Sequence, residues 1–207
     1  MTFRATACLI LVLMTMALNG CGSSPPTEFI TLDAAFPHHS VPVYAGPPVV
    51  VGRMTLPPEL DRLSLVRRAQ ANRLNINGVV KWAAPLDLLV RHALAVDLAD
   101  RLPPGAVIIP GEPQPQKHAL LLVVVFNRFS ADLSGEVKLQ AVWTLMEATS
   151  GKVLLTRTSS VTASAASTGV GDIAAAISQA LGKLSDVMAT VIDKVNGPEK
   201  WGSKKQG

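Results

Sequence analysis

Apolar runs and alternating apolar and polar positions predict strands on both sides of a helical segment. Val49–Leu56 is an apolar run that ends at two prolines, and proline stops a strand because it lacks a backbone donor. Weaker strands are predicted at Phe29–Leu32 (as an edge strand), Leu63–Arg68, Arg73–Ile76 and Ala106–Ile109.

Three further strand-like runs follow one another closely. Ala119–Phe129 is almost continuously apolar, which predicts a strand buried on both faces. Glu136–Met146 alternates, and Val153–Ala163 becomes rich in serine and threonine. Because the links Ser130–Gly135 and Ala148–Gly151 are short, an antiparallel meander is the simplest arrangement.

Two segments carry apolar residues at helical spacing. The first follows Pro85 and runs to Leu102, and on it Asp97 and Arg101 are assigned as a weak ion pair on the outer face. The second starts at Asp172, which is predicted to cap it, and ends before Asn196-Gly197-Pro198. The predicted fold is α+β: a mainly antiparallel sheet covered by two amphipathic helices.

The first twenty residues have the pattern of a secretory signal. Arg4 precedes the uncharged apolar run Ala5–Leu18, which is shorter than the ~20 residues of a spanning helix. We therefore expect residues 1–20 to be a signal peptide, and no later stretch is long and apolar enough to span a membrane.

Cys21 follows this run in the sequence Leu18-Asn19-Gly20-Cys21, which looks like a bacterial lipobox. In such a motif the cysteine is acylated, with palmitate or a similar chain, and becomes the new N-terminus. The alternative is an ordinary signal peptide with a chance cysteine. Gly22, rather than aspartate, favours the outer membrane. Loss of Arg4 with the signal would lower the formal net charge from +4 to +3.

The mature chain divides into three predicted parts. Residues 21–48 are rich in proline, glycine and serine, and are predicted to be a lipidated, extended tether. Residues 49–196 form the α+β body, and 197–207 a flexible tail. His38-His39 in the tether lacks further ligands at a suitable spacing, so no metal site is predicted.

Composition and motifs argue against several functions. Aromatic residues make up 4% of the chain and no window is dense in lysine or arginine, which disfavours nucleic-acid binding. The chain has no nucleophile elbow and no phosphate-binding loop. His92 and His118 are expected on the surface. We therefore expect no catalytic residues, no bound metal and no cofactor beyond a covalent lipid on Cys21.

Several motifs in order resemble the ABC-type transport auxiliary lipoproteins, the PqiC/YmbA family. They are Ser24–Leu32, Val49–Val51, Leu56-Pro57-Pro58-Glu59-Leu60-Asp61-Arg62, Val66-Arg67, Asn72, Trp82-Ala83-Ala84-Pro85-Leu86 and the alternating Val137, Leu139, Ala141 and Trp143. The resemblance covers about Cys21 to Met188. It implies a lipoprotein anchored on the periplasmic face of the outer membrane.

The resemblance also implies a function: a non-enzymatic adaptor of an MCE-domain and ABC permease system that moves lipids between membranes. Asp61 and Arg62 follow a proline corner and are candidates for contact with a partner or another subunit. A periplasmic lipid-binding protein or hydrolase, and a pilotin-like assembly factor, remain alternatives. Apolar runs that two helices cannot cover on both faces also predict a homo-oligomer.

Overall fold

The computed structural model describes residues 24–35, 44, 46–113 and 118–196. Eight strands and two helices follow one another in this part of the chain. Their bounds are β1 Glu28–Ile30, β2 Val49–Thr55, β3 Ser64–Gln70, β4 Arg73–Trp82, α1 Leu86–Arg101, β5 Val107–Ile108, β6 Leu120–Ala131, β7 Glu136–Glu147, β8 Val153–Ser164 and α2 Val170–Asn196. A 3₁₀ turn, Pro58–Leu60, follows β2.

The larger sheet has five strands in the order β5-β2-β6-β7-β8. Its second half is the predicted meander, since β6, β7 and β8 pair antiparallel in sequence order. Both turns of the meander contain a glycine in the left-handed region, Gly135 with φ 92° and Gly151 with φ 69°. Other residues adopt this conformation only with strain, so the turns fix the register of the meander.

The other half of the sheet is parallel. β2 pairs parallel with β5 on one side and with β6 on the other. The chain between β2 and β5 forms the hairpin of β3 and β4 and then α1, a connection long enough for a parallel crossover. The predicted α+β class is confirmed, and the sheets are largely antiparallel, because the longest pairs, β6-β7 and β7-β8, are antiparallel.

A second, three-stranded sheet has the order β1-β4-β3. β1 is the predicted edge strand, and it pairs parallel with β4, with Glu28 opposite Val80. β3 and β4 form an antiparallel hairpin that also bridges to the larger sheet between Arg68 and Asp132. The strands predicted over residues 63–76 therefore belong to this sheet, and β4 continues six residues past Ile76 to Trp82.

Both helices cover the same face of the larger sheet and pack against each other. The core between these layers contains Trp143, whose indole N–H donates a hydrogen bond to Ser159 Oγ at 3.0 Å. On β6, Leu120, Leu122 and Val124 point into this core. The expectation that β6 is buried on both faces is wrong, because the alternate residues, such as Val125, lie on the face without helices.

Residues Thr31–Ala35, called the strap below, leave β1 and lie across the two helices. The backbone N–H of Asp33 donates to Ser178 Oγ at 3.2 Å, and that of Ala35 donates to Asp97 Oδ1 at 2.8 Å. The N-terminal part of the predicted tether, 24–35, thus includes a strand and a segment packed on the body.

The remaining predictions for the chain ends concern residues outside the described ranges. These are the signal peptide, the acylation of Cys21, the histidine pair His38-His39 and the tail 197–207. Among the helices that are described, none is both long and apolar enough to cross a bilayer.

Candidate functional site

The larger of two described cavities is an open crevice of about 820 Å³ at one end of the body. One wall is the segment Arg53–Leu63, and the other is the first turn of α1 with Arg91. The candidate residues Asp61 and Arg62 both line this crevice. We refer to this site as the crevice.

The proline pair shapes the first wall. β2 ends at Thr55, and Pro57 and Pro58 redirect the chain into the 3₁₀ turn. The turn is closed by the backbone N–H of Leu60 on Pro57 O at 2.9 Å and that of Asp61 on Pro58 O at 3.1 Å. Leu60 is buried beneath the turn, so Asp61 and Arg62 are held at the surface.

The second wall begins where Pro85 starts α1. No side chain caps this helix end, and Leu86 is buried in the core below it. Arg91, one turn further along, donates from Nε to the backbone oxygen of Val51 at 3.0 Å and so ties α1 to β2. The crevice therefore lies between two segments that are each fixed to the core.

The lining combines charge with exposed apolar surface. Arg53, Arg62 and Arg91 contribute positive charge, and Asp61 and Asp87 contribute negative charge. In the described part of the chain no ion pair joins these five side chains. Apolar side chains lie between them, and the leucines Leu63 and Leu88 among them are exposed to solvent. Unpaired charges around apolar surface are typical of a site that binds a chain or a ligand.

The crevice carries no recognisable catalytic arrangement. It has no histidine, cysteine or serine among its lining residues, so a nucleophile beside a base is absent there. Within the described ranges, no cluster of three or more histidine, cysteine, aspartate or glutamate residues could hold a metal ion. His92 and His118 are exposed, as expected.

A second cavity, of about 410 Å³, lies between the strap and the first half of α2. Its wall includes Asp33 and Ser178, which are hydrogen-bonded to each other. It is an opening beside the strap, formed because the strap reaches over α2.

A buried polar cluster, which was not expected from the sequence, lies beneath the strap. Asp97 and Arg101 were assigned to the outer face of α1, and that assignment is wrong, since their exposed fractions are 0% and 1%. Arg101 Nε donates to Asp186 Oδ1 on α2 at 2.6 Å, and Arg101 Nη1 donates to the backbone oxygen of Asp97 at 2.7 Å. Asp97 Oδ1 also accepts the strap N–H of Ala35.

Burial raises the pKa of Asp97 from 3.8 to about 6, although the hydrogen bond from Ala35 and the charge of Arg101 act in the opposite direction. The cluster joins α1, α2 and the strap but does not open into the crevice. It is therefore a structural element of the body that holds the strap.

Comparison with solved structures shows the same fold in two other proteins. An uncharacterized protein is 18% identical, with a TM-score of 0.66 over 81% of this chain and 99% of its own. A Xanthomonas campestris protein of the DUF330 family is also 18% identical, with a TM-score of 0.59 over 87% of this chain and 98% of its own. No curated protein matches this chain in sequence.

The family model of the ABC-type transport auxiliary lipoprotein component matches residues 31–189. This range begins in the strap and ends within α2, so it includes the crevice, the hairpin, α1 and most of α2. It includes the motifs at Leu56–Arg62 and Trp82–Leu86, which contribute residues to the two walls of the crevice. The chain belongs to the ABC-type transport auxiliary lipoprotein family.

Proposed function

We propose that this protein is a lipid-anchored, non-enzymatic adaptor of an MCE-domain and ABC permease system that transports lipids between membranes. Family membership supports a transport role, and the lipobox at Leu18–Cys21 supports an acyl anchor on Cys21. Several acyl chains on one residue give an anchor that is effectively permanent. Gly22 after the cysteine supports the periplasmic face of the outer membrane.

The observation that carries this proposal is the crevice with Asp61 and Arg62 at its surface. An adaptor needs a rigid surface that binds another protein, and both walls of the crevice are hydrogen-bonded to the core. Charged side chains that form no ion pairs with one another, next to exposed leucines, suit the rim and centre of a protein interface. We propose that Asp61 and Arg62 contact a transport component there.

Site-specific cross-linking tests the docking site. After acylation of Cys21 the mature chain would have no free thiol, so Arg62→Cys introduces the single reactive cysteine. We expect a cross-linker on this residue to capture the MCE-domain or permease component in membranes that contain the whole system.

The matched control is Val153→Cys, an exposed position at the start of β8, three strands away from β2 in the sheet. It should give little or no product with the transport component. Equal capture from both positions, or capture only of a second copy of this chain, would contradict docking at the crevice. Hydrolysis of lipid esters by the purified protein would contradict the adaptor function itself.

The anchor has a separate test. Cys21→Ser should abolish incorporation of a palmitate analogue and release the protein into the soluble fraction after cell disruption. Retention of label by the variant would show that Cys21 is not the acylation site. Density-gradient separation of the two membranes then distinguishes outer-membrane from inner-membrane placement.

We also propose that the protein forms a homo-oligomer through the face of the larger sheet that carries no helix. Val125 on this face is 39% exposed, and Leu121 and Val123 beside it are only half-buried. An apolar sheet face of this kind is normally covered in a soluble protein. A second copy of the chain is the proposed cover.

A further inference from the structure

The hairpin of β3 and β4 is the most cationic part of the body. Residues 62–86 include five basic side chains and no acidic one, namely Arg62, Arg67, Arg68, Arg73 and Lys81. Arg67 and Arg68 donate hydrogen bonds to the backbone oxygens of Thr168 and Ala71, and not to carboxylates. Positive charge is therefore concentrated here without neutralisation by partners within the hairpin.

Carboxylates on elements that pair with the hairpin are those of Glu28 on β1 and of Asp132, whose backbone bridges to Arg68. Asp132 Oδ1 accepts hydrogen bonds from the backbone N–H groups of Ser134 and Glu136, both in its own turn. The hydrogen bond from the Ser134 hydroxyl, together with these backbone bonds, holds the pKa of Asp132 below its usual range. The carboxylate is oriented towards this turn, and no ion pair joins it to a hairpin arginine in the described ranges.

The hairpin also exposes apolar side chains near its turn. Leu74 and Ile76 are 41% and 48% exposed, and their register partners on β3 are Arg68 and Val66. The end of the hairpin therefore presents apolar side chains to solvent beside its arginines.

Val79 on β4 and Phe29 on β1 are exposed as well, by 36% and 63%. Phe29 is the register partner of Lys81, so this lysine lies beside Phe29 in the sheet. Exposed apolar groups together with arginine and lysine are typical of segments that enter the membrane interface.

The register of β1 places the proposed anchor at the same end of the molecule. β1 runs parallel to β4 with Glu28 opposite Val80, so the residues before β1 leave towards the hairpin turn. Cys21 lies seven residues before Glu28, and Arg73 lies seven residues before Val80. At ~3.3 Å per residue both stretches span about 23 Å, so an acylated Cys21 can reach the level of the hairpin turn.

We propose that the hairpin tip, residues Arg67–Ile76, contacts the anionic phospholipid surface in which the acyl chains of Cys21 are inserted. Leu74 and Ile76 enter the interfacial region, and the arginines contact lipid phosphates. The contact orients the body on the membrane with the hairpin towards the lipid. This inference rests on the proposed acylation of Cys21 only for the choice of membrane.

Vesicle co-sedimentation of the unlipidated mature chain, Cys21→Ser, tests the hairpin without the anchor. We expect binding to vesicles of phosphatidylglycerol and phosphatidylcholine, weaker binding to pure phosphatidylcholine, and weaker binding as salt is added. Leu74→Ser with Ile76→Ser should reduce the bound fraction on anionic vesicles about tenfold, because both side chains lose their contact with the interface.

The matched control is Leu133→Ser with Val153→Ser, two apolar residues that are 40% and 55% exposed elsewhere on the body. This pair should bind vesicles like the parent chain. All four positions are exposed, so circular dichroism and the melting temperature should stay unchanged in both variants. Equal loss of binding in both double variants would overturn the proposal.

Absence of parent binding to anionic vesicles would also overturn it. So would a result in which the hairpin variant loses only its binding to an acidic transport component, since the tip would then be a protein contact. The labelling test of Cys21→Ser is independent of these measurements. Failure of the anchor and failure of the hairpin contact are therefore distinguishable.

Discussion

Asp97 and Arg101 are charged residues that the fold removes completely from solvent, and they lie where three segments of the chain meet. Removal of both charges from water is costly, and hydrogen bonds must offset that cost. Arg101 reaches Asp186 on α2, and Asp97 accepts the N–H of Ala35 from the strap. Asp97 Oδ2 and Arg101 Nη2 have no partner among the described residues. The pair therefore fixes one arrangement of the helices and the strap rather than adding much net stability.

The raised pKa of Asp97 gives this cluster a measurable pH dependence. With a pKa of about 6 in the folded state and 3.8 in the unfolded state, the native protein binds the proton more tightly. The resulting stabilisation is complete below the unfolded pKa and is lost as pH rises through about 6; a shift of ~2 units corresponds to ~3 kcal/mol.

Asp97→Asn keeps an acceptor oxygen for Ala35 and removes the titration. We expect the free energy of unfolding of the parent, relative to this variant, to fall by ~2.5 kcal/mol between about pH 4 and pH 7. Urea unfolding of both unlipidated chains across this range measures the difference. If the free energy of unfolding changed with pH in the same way in both proteins, the raised pKa of Asp97 would be contradicted.

The burial of this pair could have been predicted from the sequence. Asp97 follows Val90 by seven residues and Ala93 by four, and Arg101 follows Leu94 by seven, so both lie on the apolar stripe of α1. Their charge led to the opposite assignment, because an isolated charge on that stripe would be costly to bury. The groups that offset this cost are the carboxylate of Asp186 and the N–H of Ala35. Both are distant in sequence from the pair, so these contacts could not be predicted from the sequence.

At the scale of elements, the strap depends on a close approach to α2. Gly182 faces Ala35, and a Cβ on this glycine would lie 2.6 Å from Ala35 Cβ and 3.2 Å from Arg101 Nη2. The absence of a side chain at Gly182 is therefore what lets the strap and the guanidinium lie against the helix.

Gly182→Ala should displace the strap and destabilise the fold by about 1–3 kcal/mol, more than the ~1 kcal/mol that alanine gains in a helix. Gly171→Ala, in the first turn of α2, is the control: no described atom lies within 4 Å of its Cβ position, so it should be neutral or stabilising. Thermal unfolding of both variants checks the prediction. Equal stability of the two variants would show that the strap can move away from position 182 without loss of stability.

The elements that were predicted well are those defined by local signals. The meander β6-β7-β8 follows from short turns that contain Gly135 and Gly151, and both helices follow from their apolar spacing. The division into two sheets was not predictable, because β2 pairs with strands that follow a long crossover. The local sequence of a strand does not identify a parallel partner that lies far away in the chain. Similarly, Asp61 and Arg62 were expected at the surface, but the opposing wall from α1 required the tertiary structure.

At the scale of the whole molecule, two helices cover one face of the larger sheet and leave the other to solvent. The unlipidated mature chain should therefore associate in light scattering, with a mass that falls on dilution. Val125→Arg places a charge on the uncovered face and should yield a monomer, while Leu133→Arg in the β6–β7 turn should not. A parent chain that is monomeric at every concentration would remove the proposed interface. The strap must be retained in this experiment, since it is packed on both helices.

The contact between the strap and α2 also bears on how the protein folds. Asp33 and Ser178 are separated by 145 positions in the chain, so this bond closes a loop that includes nearly the entire body. Contacts of such large sequence separation form late, because their closure entropy is offset only once the intervening structure exists. A chain that is translocated or synthesised with its N-terminus first cannot complete the strap contact until α2 is present. Truncation before α2 would leave the strap without its partner on the helix and accessible to proteases. Packing of the strap therefore requires the chain through α2.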